Sequence, residues 1–194
     1  FVWCFRKTLY FLKYLPKINK GEEFRVLITQ PKIDPWDSKY GNSKSNLDYF
    51  KIFKDLTHEE LSANEYDFVL TSETFFSEGY GENVDYFVYT KLYDSLNSYL
   101  SQFPNTNLIS GIQFYKLYQN QQEKPTKSAN AVGENIWVDY FNSSINMSAN
   151  KDFDYNHKSK LVVGSEYMPF KSFLEPIIGT VMIDLGGTIR SMGT

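Results

Sequence analysis

The chain has 194 residues, 42% of them hydrophobic and 18% aromatic, which suits one domain with a packed core and excludes a disordered polypeptide. Its net charge of −3 argues against nucleic-acid binding. The single cysteine, Cys4, excludes an internal disulfide, and no apolar run approaches the ~20 residues of a membrane-spanning helix.

Residues 1–15 are helix-compatible, with Phe5, Leu9 and Leu12 on one face, and Pro16 ends the segment. Residues 1–20 also carry Arg6, Lys7, Lys13, Lys17 and Lys20 and no acid, so the rest of the chain is distinctly acidic. A basic, aromatic segment of this kind reads as a membrane-adjacent linker or as an amphipathic surface helix. Phe24 to Gln30 reads as a buried strand stopped by Pro31, followed by a polar loop over 34–43. Leu47, Phe50, Phe53 and Leu56 predict a helix over 46–61.

Tyr66 to Leu70 predicts a second strand, with Ser72, Glu73 and Thr74 past its carboxyl end. Val84, Val88, Leu92, Leu96 and Leu100 form one stripe of a helix over 84–102. Asn107 to Phe114 is a third strand, and Lys116 to Asn130 reads as a polar connecting loop. Residues 135–155 read as two strands joined by a turn near Ala149-Asn150-Lys151. A short helix is expected after Pro169, then an apolar stretch over 177–183 and a turn at Gly186-Gly187. Alternating strands and helices argue for a layered α/β fold, in which chemistry gathers at the carboxyl ends of strands.

Three residues are candidates for that chemistry. Glu73, just past an apolar strand, is expected to be partly desolvated, which raises a carboxyl pKa toward the range of a general base; it also reads as a solvated acid or a helix cap. Lys158, in a closed site, would stabilise a developing oxyanion; it also reads as a surface lysine. Lys160 competes with it, because on a strand both would face the same side. Glu166 follows a glycine-containing turn and would orient the lysine, accept a proton, or serve as a structural acid. His58 and His157 lie far apart in the sequence, no cluster has metal-ligand spacing, and neither a phosphate loop nor a Gly-x-Ser-x-Gly elbow is present. No cofactor is expected.

These segments resemble the nitrilase superfamily of carbon–nitrogen hydrolases, and within it the bacterial apolipoprotein N-acyltransferases. Val26 to Pro35 is similar to that branch's first strand with its Gln-Pro run. Val69-Leu70-Thr71-Ser72-Glu73-Thr74 is similar to its Pro-Glu-Thr segment, and Asn142-Ser143-Ser144 to its Tyr-Asn-Ser-Ala strand. Tyr155 to Phe170 is similar to its lysine loop, with the Leu-Val, Gly, Glu and Pro-Phe that follow. Ser72, Val163 and Lys32 depart from the family's residues at their positions.

The resemblance implies a four-layer αββα sandwich over 21–194, preceded by a membrane-proximal segment over 1–20. It implies Glu73 as general base, Lys158 as oxyanion support and Glu166 as its helper. The family's nucleophilic cysteine follows the lysine loop, whereas no cysteine follows Glu166 here. The implied domain therefore lacks its C-terminal part, its nucleophile lies beyond Thr194, and the chain alone is inactive. The implied activity transfers an acyl chain from a phospholipid donor to the N-terminal amine of a diacylglyceryl-cysteine lipoprotein. The implied place is the periplasmic side of the inner membrane, with membrane contact through segments outside this chain. A soluble nitrilase-type amidase and a non-catalytic nitrilase-like binding domain are the alternatives.

Overall fold

The computed structural model describes residues 23–31, 44–149, 153–163, 166 and 192–194. It is a mixed α/β structure with a seven-stranded sheet among the described residues. In chain order come β1 (Val26–Ile28), α1 (Asn46–Ala63), β2 (Phe68–Leu70), β3 (Glu82–Asn83), a 3₁₀ helix (Val84–Tyr89) and α2 (Lys91–Leu100). Then follow β4 (Asn107–Gln119), β5 (Asn130–Gly133), β6 (Ile136–Ser148) and β7 (Asp154–His157). The helix expected over 1–15, the loop over 34–43, most of the turn at 149–151 and the elements after Pro169 lie outside the described residues.

Two 13-residue strands, β4 and β6, form the antiparallel centre of the sheet. On one side β2 and β3 run parallel to β4, and β1 runs parallel to β2. On the other, β5 and β7 pair antiparallel with β6. The register sets Leu108 opposite Met147, Ser110 opposite Ile145, Ile112 opposite Ser143 and Phe114 opposite Phe141. Because side chains alternate along a strand, these rows make one largely apolar face. Their apolar members share a buried cluster with Tyr49, Phe53 and Leu61 of α1 and Leu92, Leu96 and Leu100 of α2. The opposite face carries Gln113 against Asn142 and Gly111 against Ser144.

Helix α1 starts where Ser45 and Asp48 form a capping box, each side chain accepting from the other residue's backbone N–H. Its buried stripe is Asn46, Tyr49, Phe53, Thr57 and Leu61, displaced from the apolar stripe read from the sequence; Leu56 is exposed. Hydrogen bonds explain the displacement. The Thr57 hydroxyl donates to the Phe53 carbonyl at 2.8 Å and pairs with the Tyr99 hydroxyl at 2.9 Å. Asn46 bonds Glu82 through its side-chain amide and accepts from the Glu78 backbone. Polar side chains that are satisfied in this way can occupy the inner face.

The single helix expected over 84–102 is divided in two. Thr90 is extended (φ −87°, ψ 153°) and caps α2, its hydroxyl accepting from the Tyr93 amide. The 3₁₀ turn before it buries Val84 and Phe87, three residues apart, and leaves Val88 exposed. The strand expected to be buried at the start is an outer one, with Val26 41% and Ile28 71% exposed, because among the described residues β1 pairs only with β2.

The polar stretch Lys116 to Gln119, expected in a loop, continues β4, and Asn130 begins β5. Pairing with Ile136 to Asp139 supplies the backbone partners that the local sequence does not advertise. The connection between them is tied to the sheet through buried Asp139, whose Oδ2 accepts from Thr126 at 2.7 Å and Tyr118 at 3.1 Å.

Candidate active site

Glu73 meets Lys158 and Glu166 at one point, although it lies 85 residues before the lysine. Glu73 stands on an excursion of the chain beyond β2. Leu70 is in register with Ile109, and the next ladder contact is Phe76 with Ile112, so residues 71–75 face only Ser110 and Gly111. The surplus lifts the chain out of the sheet, as a bulge does. The excursion is pinned at both ends. The Thr71 and Ser110 hydroxyls lie 2.7 Å apart, and Phe75 and Phe76 are buried in the core.

Two backbone features shape it. Thr74 has φ +48°, a left-handed conformation that is costly for a β-branched residue. Gly111 lies directly beneath, where a Cβ would collide with backbone atoms of Ser72, Glu73 and Thr74. The absence of a side chain on β4 is what lets the Glu73 backbone pass so close.

Lys158 follows the last residue of β7, and its backbone N–H donates to the Asn142 carbonyl at 2.8 Å. Its ammonium Nζ is 2.8 Å from Glu73 Oε1, and 3.0 Å and 2.9 Å from Oε1 and Oε2 of Glu166. Lys160 is exposed and makes no such contact among the described residues. The two lysines do not share a strand, because β7 ends at His157, and that separates what periodicity could not.

Glu166 is buried and is held from several directions. Its Oε2 accepts from the Val162 amide at 2.8 Å, its own N–H donates to the Val162 carbonyl, and its carbonyl accepts from the Met192 amide. Asn142 of β6 completes the cluster. Its Nδ2 donates to Glu73 Oε1 at 2.6 Å and to Glu166 Oε1 at 2.8 Å. Sequence reasoning gave Asn142 no role of its own. The local signal is weak, because Asn142 is followed by Ser143 and Ser144 and does not stand out as a lone polar residue in its strand.

The electrostatics correct one expectation. Glu73 is not raised toward neutrality; its pKa lies below the usual carboxylate value, because the Lys158 hydrogen bond and that of Asn142 outweigh desolvation. Its side chain remains 62% exposed, and the desolvation that would raise it does not offset those bonds. For Glu166 burial pushes upward, but the Val162 amide, Asn142 and Lys158 together bring the pKa below the usual value. Lys158 is raised, by Glu73 first and Glu166 second. At neutral pH the site therefore holds two carboxylates about one ammonium, with amide donors spreading the surplus negative charge.

A cavity of about 470 Å³ opens beside this cluster, with Glu73, Lys158, Asn142, Leu70, Ile109 and Ser144 in its wall. His157 lies next to it and is engaged on both sides: its Nδ1 is 2.7 Å from the Ser143 hydroxyl, and its ring stacks on Phe141. Burial, then the charge of Lys116, lowers its pKa. No cluster of three or more metal-ligating side chains occurs among the described residues. No helix among them is long and apolar enough to cross a membrane. Cys4 lies outside the described residues.

No protein-family model and no curated protein match the sequence. Among solved structures, the chain is similar to a cysteine-to-serine variant of an N-terminal amidase, at 10% identity and a TM-score of 0.41. The similarity covers 72% of this chain and 28% of that one.

Proposed function

We propose that the chain is the Glu/Lys part of a nitrilase-type catalytic domain and that it serves acyl transfer from a phospholipid to the N-terminal amine of a diacylglyceryl-cysteine lipoprotein. The observation that carries the reading is the bridging of Glu73 and Glu166 by Lys158 Nζ at the carboxyl end of a parallel strand. An ammonium clamped between two carboxylates is fixed in space, so it needs no reorganisation when negative charge develops on a neighbouring oxygen. Glu73 is ionised and open to the cavity, as a proton acceptor must be.

In this reading the nucleophile is a cysteine carried beyond Thr194, in the part that completes a four-layer αββα sandwich. The Met192 amide donates to the Glu166 carbonyl and the Gly193 amide to the Tyr140 carbonyl, which ties residues 192–193 to the strand and loop that carry the site.

The cysteine thiol gives its proton to Glu73, and the sulfur attacks the acyl carbonyl. Lys158 stabilises the oxyanion. The ester C–O bond then breaks, and the leaving glycerol oxygen takes the proton from Glu73. In the second half the lipoprotein amine attacks the thioester and gives its proton to Glu73. The C–S bond breaks and the thiolate departs. The covalent route replaces one difficult exchange by two easier ones. Residues 1–20 would lie next to the membrane, with the domain on the periplasmic side.

The test is a transfer assay in phospholipid vesicles with the protein from the complete reading frame and a diacylated lipopeptide. The expected product gains one acyl chain on its terminal amine. Release of ammonia from a small amide, with no acylated product, would instead identify an amidase. Neither reaction would leave a binding domain.

A further inference from the structure

We propose that Asn142 is a positioning residue that divides the two oxygens of Glu73 between tasks, holding Oε1 against Lys158 and leaving Oε2 as the proton-accepting atom. The inference rests on the reading of Glu73 as a base and deepens it.

The geometry is a closed ring of hydrogen bonds. Asn142 Nδ2 has two hydrogens, and it donates to Glu73 Oε1 at 2.6 Å and Glu166 Oε1 at 2.8 Å. Lys158 Nζ donates to the same two oxygens, at 2.8 Å and 3.0 Å. Two oxygens of like charge are thus spanned twice, once by an amide and once by an ammonium. Without the amide, the ammonium alone would have to hold them against their repulsion.

The ring treats Glu73 asymmetrically. Both of its hydrogen bonds go to Oε1, and among the described residues Oε2 receives none. A carboxylate with one saturated oxygen and one open oxygen has a fixed orientation and a single basic atom. The second carboxylate differs: Oε2 of Glu166 is also occupied, by the Val162 amide. Glu166 therefore has no open oxygen and serves as an anchor.

Asn142 is well placed for the task. It is 4% exposed, lies within the long strand β6 and pairs in register with Gln113 of β4. Its own carbonyl accepts the Lys158 backbone N–H. One residue thereby fixes the lysine through its backbone and both glutamates through its side chain. An amide suits the position: an aspartate there would bring a third negative charge and no donor.

The experiment has two arms. The first is a carbon-13 carboxyl NMR titration of Glu73 in the protein from the complete reading frame, for wild type and Asn142→Leu, with Asn142→Ala as a second variant should the first fail to fold. Loss of the amide donor is expected to move the Glu73 midpoint to higher pH in either variant. An unmoved midpoint in a folded variant overturns the proposal, and this arm needs no activity.

The second arm uses the protein from the complete reading frame and follows acyl transfer against pH. Asn142→Leu is expected to lose roughly tenfold or more in rate, the scale of a hydrogen bond to a charged group. The acidic limb of its profile is expected to move upward. A wild-type acidic limb in that variant also overturns the proposal. Absence of transfer in wild type, with the NMR shift present, would reject the functional reading and leave the positioning role standing.

Discussion

Lys158 Nζ lies 2.8 Å from Glu73 Oε1, although 85 residues separate the two in sequence. The contact joins the loop after β7 to the excursion after β2 across the two central strands. The first prediction follows from its selectivity. In the protein from the complete reading frame, Lys158→Ala should lower acyl transfer by roughly 10²–10³-fold, the usual scale for removing an oxyanion donor. Lys160→Ala, at an exposed position, should stay close to wild type. Equal losses in the two variants would contradict the assignment.

The pH dependence of stability has a defined sign. Glu166 has a folded pKa below its unfolded value, so its contribution is present above the unfolded carboxylate range and is lost as pH falls through the folded value. Lys158 is raised, so its contribution is complete below the unfolded lysine value and lost as pH rises through the folded one. The wild-type advantage over Glu166→Gln in urea midpoint should therefore be steady around neutral pH and shrink on acidification. Urea titrations across pH check this. An advantage that grows in acid would point to a carboxyl group destabilised in its charged form.

Gly111→Ala should destabilise the fold by about 1–3 kcal/mol, the usual cost of overpacking, and displace Glu73. The added methyl would meet the backbone of Ser72 and Thr74. Denaturation gives the stability. The Lys158–Glu73 contact can be followed through the ammonium resonance of Lys158. A variant with wild-type stability would mean that the excursion lies farther from β4.

Within the core, Thr57→Val should cost about 1–3 kcal/mol, because it removes the hydrogen-bond partner of a buried Tyr99 hydroxyl. Tyr99→Phe in the same background should recover part of the loss, since the unsatisfied hydroxyl is then gone. A double-mutant cycle in urea measures the coupling. Strict additivity would show that the two hydroxyls do not interact.

Much of this architecture is legible in the sequence where burial is one-sided and apolar. Phe68-Val69-Leu70 reads as a strand because its apolar run is unbroken, and Asn107 to Phe114 because Leu108, Ile109, Ile112 and Phe114 supply apolar, strand-prone side chains around Ser110 and Gln113. Helix α1 is visible in its periodicity, but its inner face is not. Thr57 and Asn46 enter that face through hydrogen bonds with Tyr99, Glu78 and Glu82, which lie far along the chain. The second half of β4 is hidden for a related reason, since Lys116 to Gln119 become strand through pairing with β6.

At the site, Glu73, Lys158 and Glu166 are named by the resemblance, since the local pattern alone leaves Lys158 and Lys160 equivalent, and their charge states are not legible in the sequence at all. The pKa of Glu73 depends on a lysine and an asparagine that arrive from other strands. The bulge that presents Glu73 was equally hidden, because it arises from a register mismatch between β2 and β4 rather than from any residue near Glu73 alone.

The most direct test of the proposed function uses the complete protein with acyl-labelled phospholipid and mass spectrometry. A hydroxylamine-labile acyl adduct is expected on a cysteine beyond residue 194, present in wild type and absent in Glu73→Gln. An adduct that forms equally in Glu73→Gln, or no adduct on any cysteine in wild type, would contradict it.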